Sequence, residues 1–125
     1  KFSSFATQYA EVLSKTTGMT VMITDRDRVV SVCGAQKKAL TDGRVSPELE
    51  GLMDERGSFT AKSEVGIKPI MNSELEASIA YTIIGSGEVA GSQVMLFDEQ
   101  RTPPDATKEK LVSVAASFLG KQTED

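Results

Sequence analysis

The segment at residues 77–97, ASIAYTIIGSGEVAGSQVMLF, decides the fold class of this chain. Two runs rich in β-branched and aromatic residues flank the short sequence GSG, and this pattern predicts a long β-hairpin. Gly85 and Gly87 readily supply the positive φ angles that a tight turn requires. The G-x-G-x-x-x-G spacing through Gly91 misses the dinucleotide-binding fingerprint and lies between two strands. Since residues 94–97 are apolar at odd and even positions, we expect a sheet covered on both faces.

A second hairpin is predicted upstream, where MTVMI and RVVSVC flank a charged turn. Asp25 and Asp27 in this turn could be read as a carboxylate pair for a metal or for acid–base chemistry. A metal site would need further ligands, however, and the chain has no histidine and no D-x-D-x-D-G loop. Exposed turn carboxylates also lack the buried environment that acid–base catalysis needs. Aspartate is a good turn former, so we predict a structural turn, no metal site and no catalytic residues.

Apolar residues at three- and four-residue steps predict an amphipathic helix near each end of the chain. The first is expected to stop near Gly18. The second begins at TPPD, with Thr102 as its cap, Pro103 at its first position and Asp105 completing a capping box, and could end early at Gly120. The two apolar stripes consist of Phe5, Ala6, Tyr9, Val12 and Leu13, and of Leu111, Val112, Ala115, Phe118 and Leu119.

The remaining segments complete an α+β fold. A short helix is predicted over SPELEGLMDER, with Ser46 as its cap and Pro47 at its first position. Residues 58–76 are expected to form loops around a short strand near Phe59. Short links make each strand pair antiparallel, so we expect an antiparallel sheet. The terminal helices would cover one face, and the short helix and loops would cover a concave site on the other.

Composition and charge narrow the function classes. The chain has 125 residues, of which 39% are hydrophobic and 26% charged, which is typical of a single folded domain over residues 1–125. Its net charge of −4 gives no general attraction to nucleic-acid phosphates. A single cysteine and the lack of a bilayer-spanning apolar run predict a cytoplasmic location and no membrane contact. The first residue is Lys1 rather than Met, so we expect a fragment of a longer protein.

Cys33 leaves three interpretations open. It could be a small apolar residue that closes a strand, a reactive thiol, or a passive wall of a ligand pocket. A reactive thiol needs a group that stabilises the thiolate, and Lys37 and Lys38 are the nearby cations in the sequence. These lysines could equally form a solvated helix start or loop, or one could bind an anionic group at a pocket rim. The structural interpretation is favoured.

The terminal helices carry more apolar side chains than one face of a thin sheet needs. Each large side chain that becomes fully buried contributes about 1.5–3 kcal/mol, which favours a further surface to cover them. Either all of them cover their own sheet, or some pack against a second copy in a helical bundle with twofold symmetry. We predict the homo-oligomer. The predicted interface residues are Phe2, Phe5, Tyr9, Val12, Leu111, Ala115, Phe118 and Leu119.

Four segments together resemble the C-terminal GAF domains of the stage V sporulation protein T family, which are regulators of forespore gene expression. The resemblance spans most of the chain and is weakest at residues 41–76, where loops would shape a pocket. The segments are FATQYAEVL (5–13), MTVMITDRDRVVSVCGAQKKAL (19–40), VAGSQVMLF (89–97) and LVSVAASFLGKQ (111–122).

The resemblance implies a GAF-like antiparallel sheet, terminal helices that associate between subunits, and a small-molecule pocket on the opposite face. It also implies an N-terminal DNA-binding domain of the AbrB type, so DNA binding is expected only from that part of the intact regulator. The expected function is to couple occupancy of the pocket to the arrangement of the terminal helices, as activator or repressor. No cofactor is expected, and the ligand is not implied. Strand position gives the candidate pocket residues, which are Ile23, Val32, Cys33, Gly34, Ile67, Pro69, Tyr81, Ile83 and Met95.

Two alternative functions remain open. The domain could dimerise the regulator without binding any ligand. Some GAF proteins also resemble thiol-dependent methionine sulfoxide reductases, whose chemistry uses an attacking thiol and ordinarily a resolving one. Since Cys33 is the only cysteine, we predict a non-enzymatic role.

Overall fold

The computed structural model describes residues 5–124 as one antiparallel sheet with helices on both faces. It confirms the α+β class that the two hairpins predict. Phe2, which was predicted to contact a second copy, lies outside the described residues. The elements in chain order are α1 (Phe5–Thr17), β1 (Val21–Thr24), β2 (Val29–Cys33), α2 (Lys37–Leu40), α3 (Pro47–Asp54), β3 (Ser58–Thr60), β4 (Ala77–Gly85), β5 (Glu88–Leu96) and α4 (Ala106–Gln122).

The five strands lie in the order β2-β1-β5-β4-β3, and every neighbouring pair is antiparallel. Both predicted hairpins are confirmed. The central strand is β5, in which Val94 pairs with Met22 of β1 on one side and with Ala80 of β4 on the other. The sheet therefore joins the first strand of the chain directly to the last.

The turn of the first hairpin is structural, as predicted. The Asp25 carboxylate accepts hydrogen bonds from the main-chain amides of Asp27 and Arg28, both at 2.7 Å. This is the side-chain to backbone bonding that makes aspartate a good turn residue. Arg26 in the same turn forms a 2.5 Å ion pair with Asp54 at the end of α3. The turn is thereby tied to the layer that covers one face of the sheet.

The turn of the second hairpin differs in detail from the prediction. It is formed by Ser86 and Gly87, both with positive φ (54° and 79°), as a type I′ turn requires. Gly85 instead ends β4, where it allows α4 to pass close by. A Cβ atom on Gly85 would overlap the Gly120 carbonyl, and one on Gly120 would overlap the Ile84 carbonyl. α4 continues to Gln122, beyond the predicted end, so Gly120 lies inside the helix where it packs on β4.

The start of α4 also corrects the sequence prediction. Asp105 is the cap, and its carboxylate accepts a 2.9 Å hydrogen bond from the Lys108 amide. Thr102 and Pro103, which were predicted to begin the helix, precede it. Pro104 restricts the residue before it to an extended conformation, so a helix cannot start at Pro103. The consecutive prolines therefore delay the helix to Asp105.

Each face of the sheet covers its own apolar cluster, which confirms the prediction of a sheet buried on both sides. The cluster beneath α1 and α4 contains four alanines from these helices, whose small side chains let the helices lie close to the strands. The helix-side cluster, beneath α1 and α4, consists of Ala6, Ala10, Leu13, Val21, Ile23, Ile79, Ile83, Met95, Val112, Ala115, Ala116 and Leu119. The loop-side cluster, on the opposite face, consists of Met22, Val32, Leu40, Val45, Leu49, Met53, Ile70, Ala77, Ala80, Val94 and Leu96.

Candidate functional site

A second apolar stripe on α1 and α4 faces away from the sheet. Residues three and four apart share one face of a helix, so each helix presents a line of three such residues. We call the two lines together the outer stripe, which consists of Phe5, Tyr9 and Val12 on α1 and Leu111, Val114 and Phe118 on α4. The exposed fractions are 54% for Phe5, 59% for Val12, 49% for Val114 and 41% for Phe118.

Tyr9 and Phe118 join the two lines of the outer stripe. Their ring centroids lie 4.8 Å apart with the planes at 64°, an edge-to-face contact. Tyr9 and Leu111 are half-buried and pack against the helix-side cluster. The outer stripe is therefore one apolar surface across two helices, of the kind that marks a protein interaction site.

Two of the predicted interface residues are placed elsewhere. Ala115 and Leu119 are each 1% exposed and belong to the helix-side cluster, so their side chains are covered within this chain and their contact with a second copy stays a prediction. The reason is that α4 carries apolar residues on two faces, and one residue step turns a helix by about 100°. The spacing of apolar residues alone did not separate the inner face from the outer one.

Val114 is an exposed residue that the sequence analysis missed. It follows Leu111 by three positions and precedes Phe118 by four, which is the helical spacing that would have revealed it. The structure exposes Phe5, Val12 and Phe118 as the prediction requires. Their contact with a second copy stays a prediction.

Most of the predicted pocket residues lie on the opposite side of the sheet from the expected pocket. Side chains alternate between the two faces of a strand, so a register chosen one residue away reverses the assignment. Met22 and Val94 face the loop-side cluster instead. The residues that pack in or against the helix-side cluster are Ile23, Cys33, Tyr81, Ile83 and Met95.

The other four predicted pocket residues differ in their surroundings. Val32 is in the loop-side cluster and Ile67 packs against it, while Pro69 is buried. Gly34 has a positive φ of 124° and lies against Thr20, where a Cβ atom would overlap. The backbone of the turn after β2 therefore requires glycine at this position. Contact between any of these residues and a ligand stays a prediction.

A groove of about 460 Å³ opens on the loop face, between the start of α3 and residues 66–76. Its lining includes the charged residues Glu48, Lys68 and Glu74. Ile70 is the member of the loop-side cluster that reaches it. Below the groove that cluster is filled, because residues such as Leu49 have no exposed surface. The groove is therefore an open surface site.

Arg101 holds the strap, defined as residues 62–76, to the end of the sheet. Its guanidinium forms an ion pair with Glu76, donates a 2.7 Å hydrogen bond to the Glu64 carbonyl and lies 4.7 Å above the Phe97 ring. The Gly66 amide donates to the same Glu76 oxygen at 2.9 Å. The hydrogen bond from this amide is the main cause that lowers the pKa of Glu76 below its usual value. Partial burial opposes this shift, and Arg101 adds to it. Glu76 is therefore ionised at neutral pH.

Cys33 has the properties of a structural residue. It is half-buried against the helix-side cluster. Burial, followed by the nearby Glu11 carboxylate, raises the pKa of the Cys33 thiol, and Lys37 opposes this only in part. A thiol acts as a nucleophile through its thiolate, so this environment does not activate it.

Residues 5–124 contain no cluster of three or more metal-ligating side chains. None of the helices in this part of the chain is long and apolar enough to cross a bilayer.

The fold is shared with solved GAF domains. The cofactor binding GAF domain of the nutrient sensor CodY from Clostridium difficile is similar with a TM-score of 0.66 at 15% identity, covering 94% of this chain and 83% of that chain. The nlh2 GAF domain of A. aeolicus, in an inactive state, gives a TM-score of 0.63 at 16% identity, covering 96% and 85%. Sequence identities this low establish the fold alone. The structural similarity confirms the expected GAF architecture.

Sequence comparison identifies the family. The family model described as "Stage V sporulation protein T C-terminal, transcription factor" matches residues 1–124. Stage V sporulation protein T of Bacillus subtilis (strain 168) is 32% identical over 127 residues, a match that covers 99% of this chain and 70% of that protein. The resemblance expected from the sequence is thus confirmed, and the chain belongs to the stage V sporulation protein T C-terminal family of transcription factors.

Proposed function

We propose that this chain is the dimerising and signal-receiving domain of a sporulation transcription regulator. The outer stripe supports this most directly, because four large hydrophobic side chains on two adjacent helices are 41% to 59% exposed. Two copies that pair α1 and α4 around a twofold axis would form a four-helix bundle and remove this surface from water. Membership in a transcription-factor family supports the regulatory role and favours a non-enzymatic one.

The domain would act by setting the geometry of a larger regulator. Its net charge of −4 does not favour contact with DNA phosphates, so we assign DNA contact to another part of the intact protein. A ligand can change the helix arrangement only if it binds two arrangements with different affinities. Couplings of this kind are typically about 1–3 kcal/mol.

The groove beside the strap is the proposed site for a small-molecule signal. The CodY domain, described as a cofactor binding domain of a nutrient sensor, gives a precedent on the same fold. Within this chain, Ile67 of the strap exchanges main-chain hydrogen bonds of 2.7 and 3.3 Å with Ala77, the first residue of β4. Since α4 packs on β4, a ligand that displaces the strap would act on the strand that supports the outer stripe.

A second candidate is a domain that dimerises without a ligand. The observation that favours it is the filled loop-side cluster, in which Met22, Leu49 and Met53 have no exposed surface. A ligand buried in this cluster would have to displace well-packed side chains, which costs free energy. The two candidates share the dimer and differ in whether the groove is used.

The dimer is tested by light scattering coupled to size-exclusion chromatography. We expect the wild type to be a dimer and Phe118→Glu and Val12→Glu to be monomers, because each places a charge in the outer stripe. Val65→Glu is the matched control, since this strap residue is 66% exposed and is not part of the outer stripe. A monomeric wild type, or equal behaviour of all variants, would contradict the proposal.

The groove is tested by thermal shift against a metabolite library. We expect a ligand to raise the melting temperature of the wild type and of Lys62→Trp but not of Lys68→Trp, which fills the groove. Lys62 is exposed and does not line the groove, so it serves as the control. A ligand that stabilises all three proteins equally would exclude the groove. A native mass spectrum of a bare dimer, together with no thermal shift, would favour the ligand-free candidate.

A further inference from the structure

Three short segments form a small antiparallel layer on the loop face, and the first of them leads into β2. Val45 and Ile70 form one of the bridges that join them, and both side chains point inward into the loop-side cluster. Since side chains alternate along an extended segment, the residues next to these two point to solvent. The segments are residues 27–29, 43–45 and 69–71.

Arg28 and Arg44 form the other bridge of this layer. Main-chain hydrogen bonds lie on either side of the two arginines rather than between them. Such a pair has its Cα atoms about 4.5 Å apart and its side chains close together on one face. Both arginines are exposed. The flanking bonds run from the Val29 amide to the Gly43 carbonyl at 2.9 Å and from the Val45 amide to the Asp27 carbonyl at 2.8 Å.

Within residues 5–124, the positive charges of Arg28 and Arg44 have no ion-pair partner. Arg28 reaches the main-chain carbonyl of Asp42 at 3.3 Å, and the nearby Asp25 carboxylate is engaged by main-chain amides. Like charges directly opposite each other on a sheet are destabilising. An anion held between the two guanidiniums would offset this repulsion.

Met71 extends the row on the same outward face. Its amide donates a 2.9 Å hydrogen bond to the Arg44 carbonyl, and its side chain is 42% exposed. The surface thus presents two guanidiniums followed by a flexible apolar side chain. Guanidiniums bind carboxylate and phosphate oxygens in a two-pronged geometry, and methionine adapts to irregular apolar groups.

We propose that Arg28, Arg44 and Met71 form a binding site for an oxyanion, either phosphate or carboxylate, carried by a small molecule with an apolar portion. The anion would bridge the two guanidiniums and remove their repulsion, and the apolar portion would contact Met71. This site is separate from the outer stripe, so it does not depend on the proposed dimer. Met71 also borders the groove, but the arginines do not line it.

Calorimetric titration of the full chain with sodium phosphate and with sodium hexanoate, at constant ionic strength, tests this site. We expect saturable binding of at least one anion to the wild type and to the control Lys62→Gln. In Arg44→Gln the dissociation constant should rise about tenfold or more, the effect of losing a hydrogen bond to a charged group. Arg44→Gln should also be at least as thermally stable as the wild type at low salt, because it relieves the repulsion.

The variants distinguish the two sources of the anion. Tighter binding of phosphate, insensitive to Met71→Ala, would indicate a phosphorylated ligand. Tighter binding of hexanoate that is weakened by Met71→Ala would indicate a carboxylate with an apolar tail. Equal binding by the wild type, Arg44→Gln and Lys62→Gln, or no saturable binding of either anion, would overturn the proposal. Light scattering on Arg44→Gln separates this result from the dimer, which this substitution should leave intact.

Discussion

The two faces of the sheet are covered in different ways. On the helix face, the backbone of α4 meets the backbone of β4 at Gly85 and Gly120, a contact that any side chain would obstruct. On the loop face, polar contacts of Arg101 and Glu76 hold the part of the strap around Gly66, while Ile70 anchors its later part in the loop-side cluster. Close backbone packing is disrupted only when much of the structure opens, whereas a few partly exposed polar contacts can open locally. The helix layer should therefore be rigid, and the part of the strap around Gly66 should open more easily.

The largest effect is expected at Gly120. Gly120→Ala places a methyl group against the Ile84 carbonyl, so we expect the free energy of unfolding to fall by about 1–3 kcal/mol, as overpacking does. The matched control is Gly51→Ala in α3, where a Cβ atom meets open space. This substitution should stabilise the protein by about 0.4–1 kcal/mol. Urea denaturation measures both, and equal effects would mean that α4 is not seated on β4.

The cap of α4 gives the next effect. Asp105→Ala removes the acceptor for the Lys108 amide, so we expect a loss of about 1 kcal/mol in the free energy of unfolding. Thr102→Ala is the control, because Thr102 lies outside the helix. Urea denaturation again provides the measurement. A larger loss in Thr102→Ala would restore the helix start that the sequence predicts.

Removing the strap contact should have a smaller global effect and a clear local one. Arg101→Met keeps an apolar side chain over Phe97 but loses the ion pair with Glu76, which is partly exposed. We expect a loss of about 1 kcal/mol or less. Hydrogen exchange should accelerate at the Gly66 amide while α4 amides stay protected. Acceleration in both regions would mean that the two faces open together and would remove the contrast between them.

The smallest effect is a change in pH dependence at Glu76. Its pKa is lowered in the folded state, so its ionised form contributes stability that is present above the unfolded pKa, near 4.5, and is lost as the pH falls through the folded value. Glu76→Gln removes this contribution. We expect the wild type to lose more stability than the variant as the pH drops below 4.5. Parallel acid denaturation curves for the two proteins would contradict this assignment.

Local signals in the sequence predicted most of the fold. Both hairpins and the start of α3 follow from strand propensity, turn residues and the Ser46 cap, whose hydroxyl accepts a 3.0 Å hydrogen bond from the Leu49 amide. The candidate site was harder to predict. The sequence does not show which layer covers which face of a strand, and Ile23 and Met95 were consequently assigned to the wrong side. The contact at Gly120 likewise arises only when α4 is packed on β4.

The place of β1 in the sheet has a consequence for protein synthesis. β1 is an inner strand, and its second neighbour, β5, is the last strand of the chain. While the chain emerges from the ribosome, β1 and β2 can form a hairpin. The outer edge of β1 then has unpaired main-chain groups until residues 92–95 are available. Isolated hairpins are marginally stable, and open edges pair readily with other chains. Nascent chains that stop before β5 should therefore aggregate, and the sheet closes only once β5 has been synthesised.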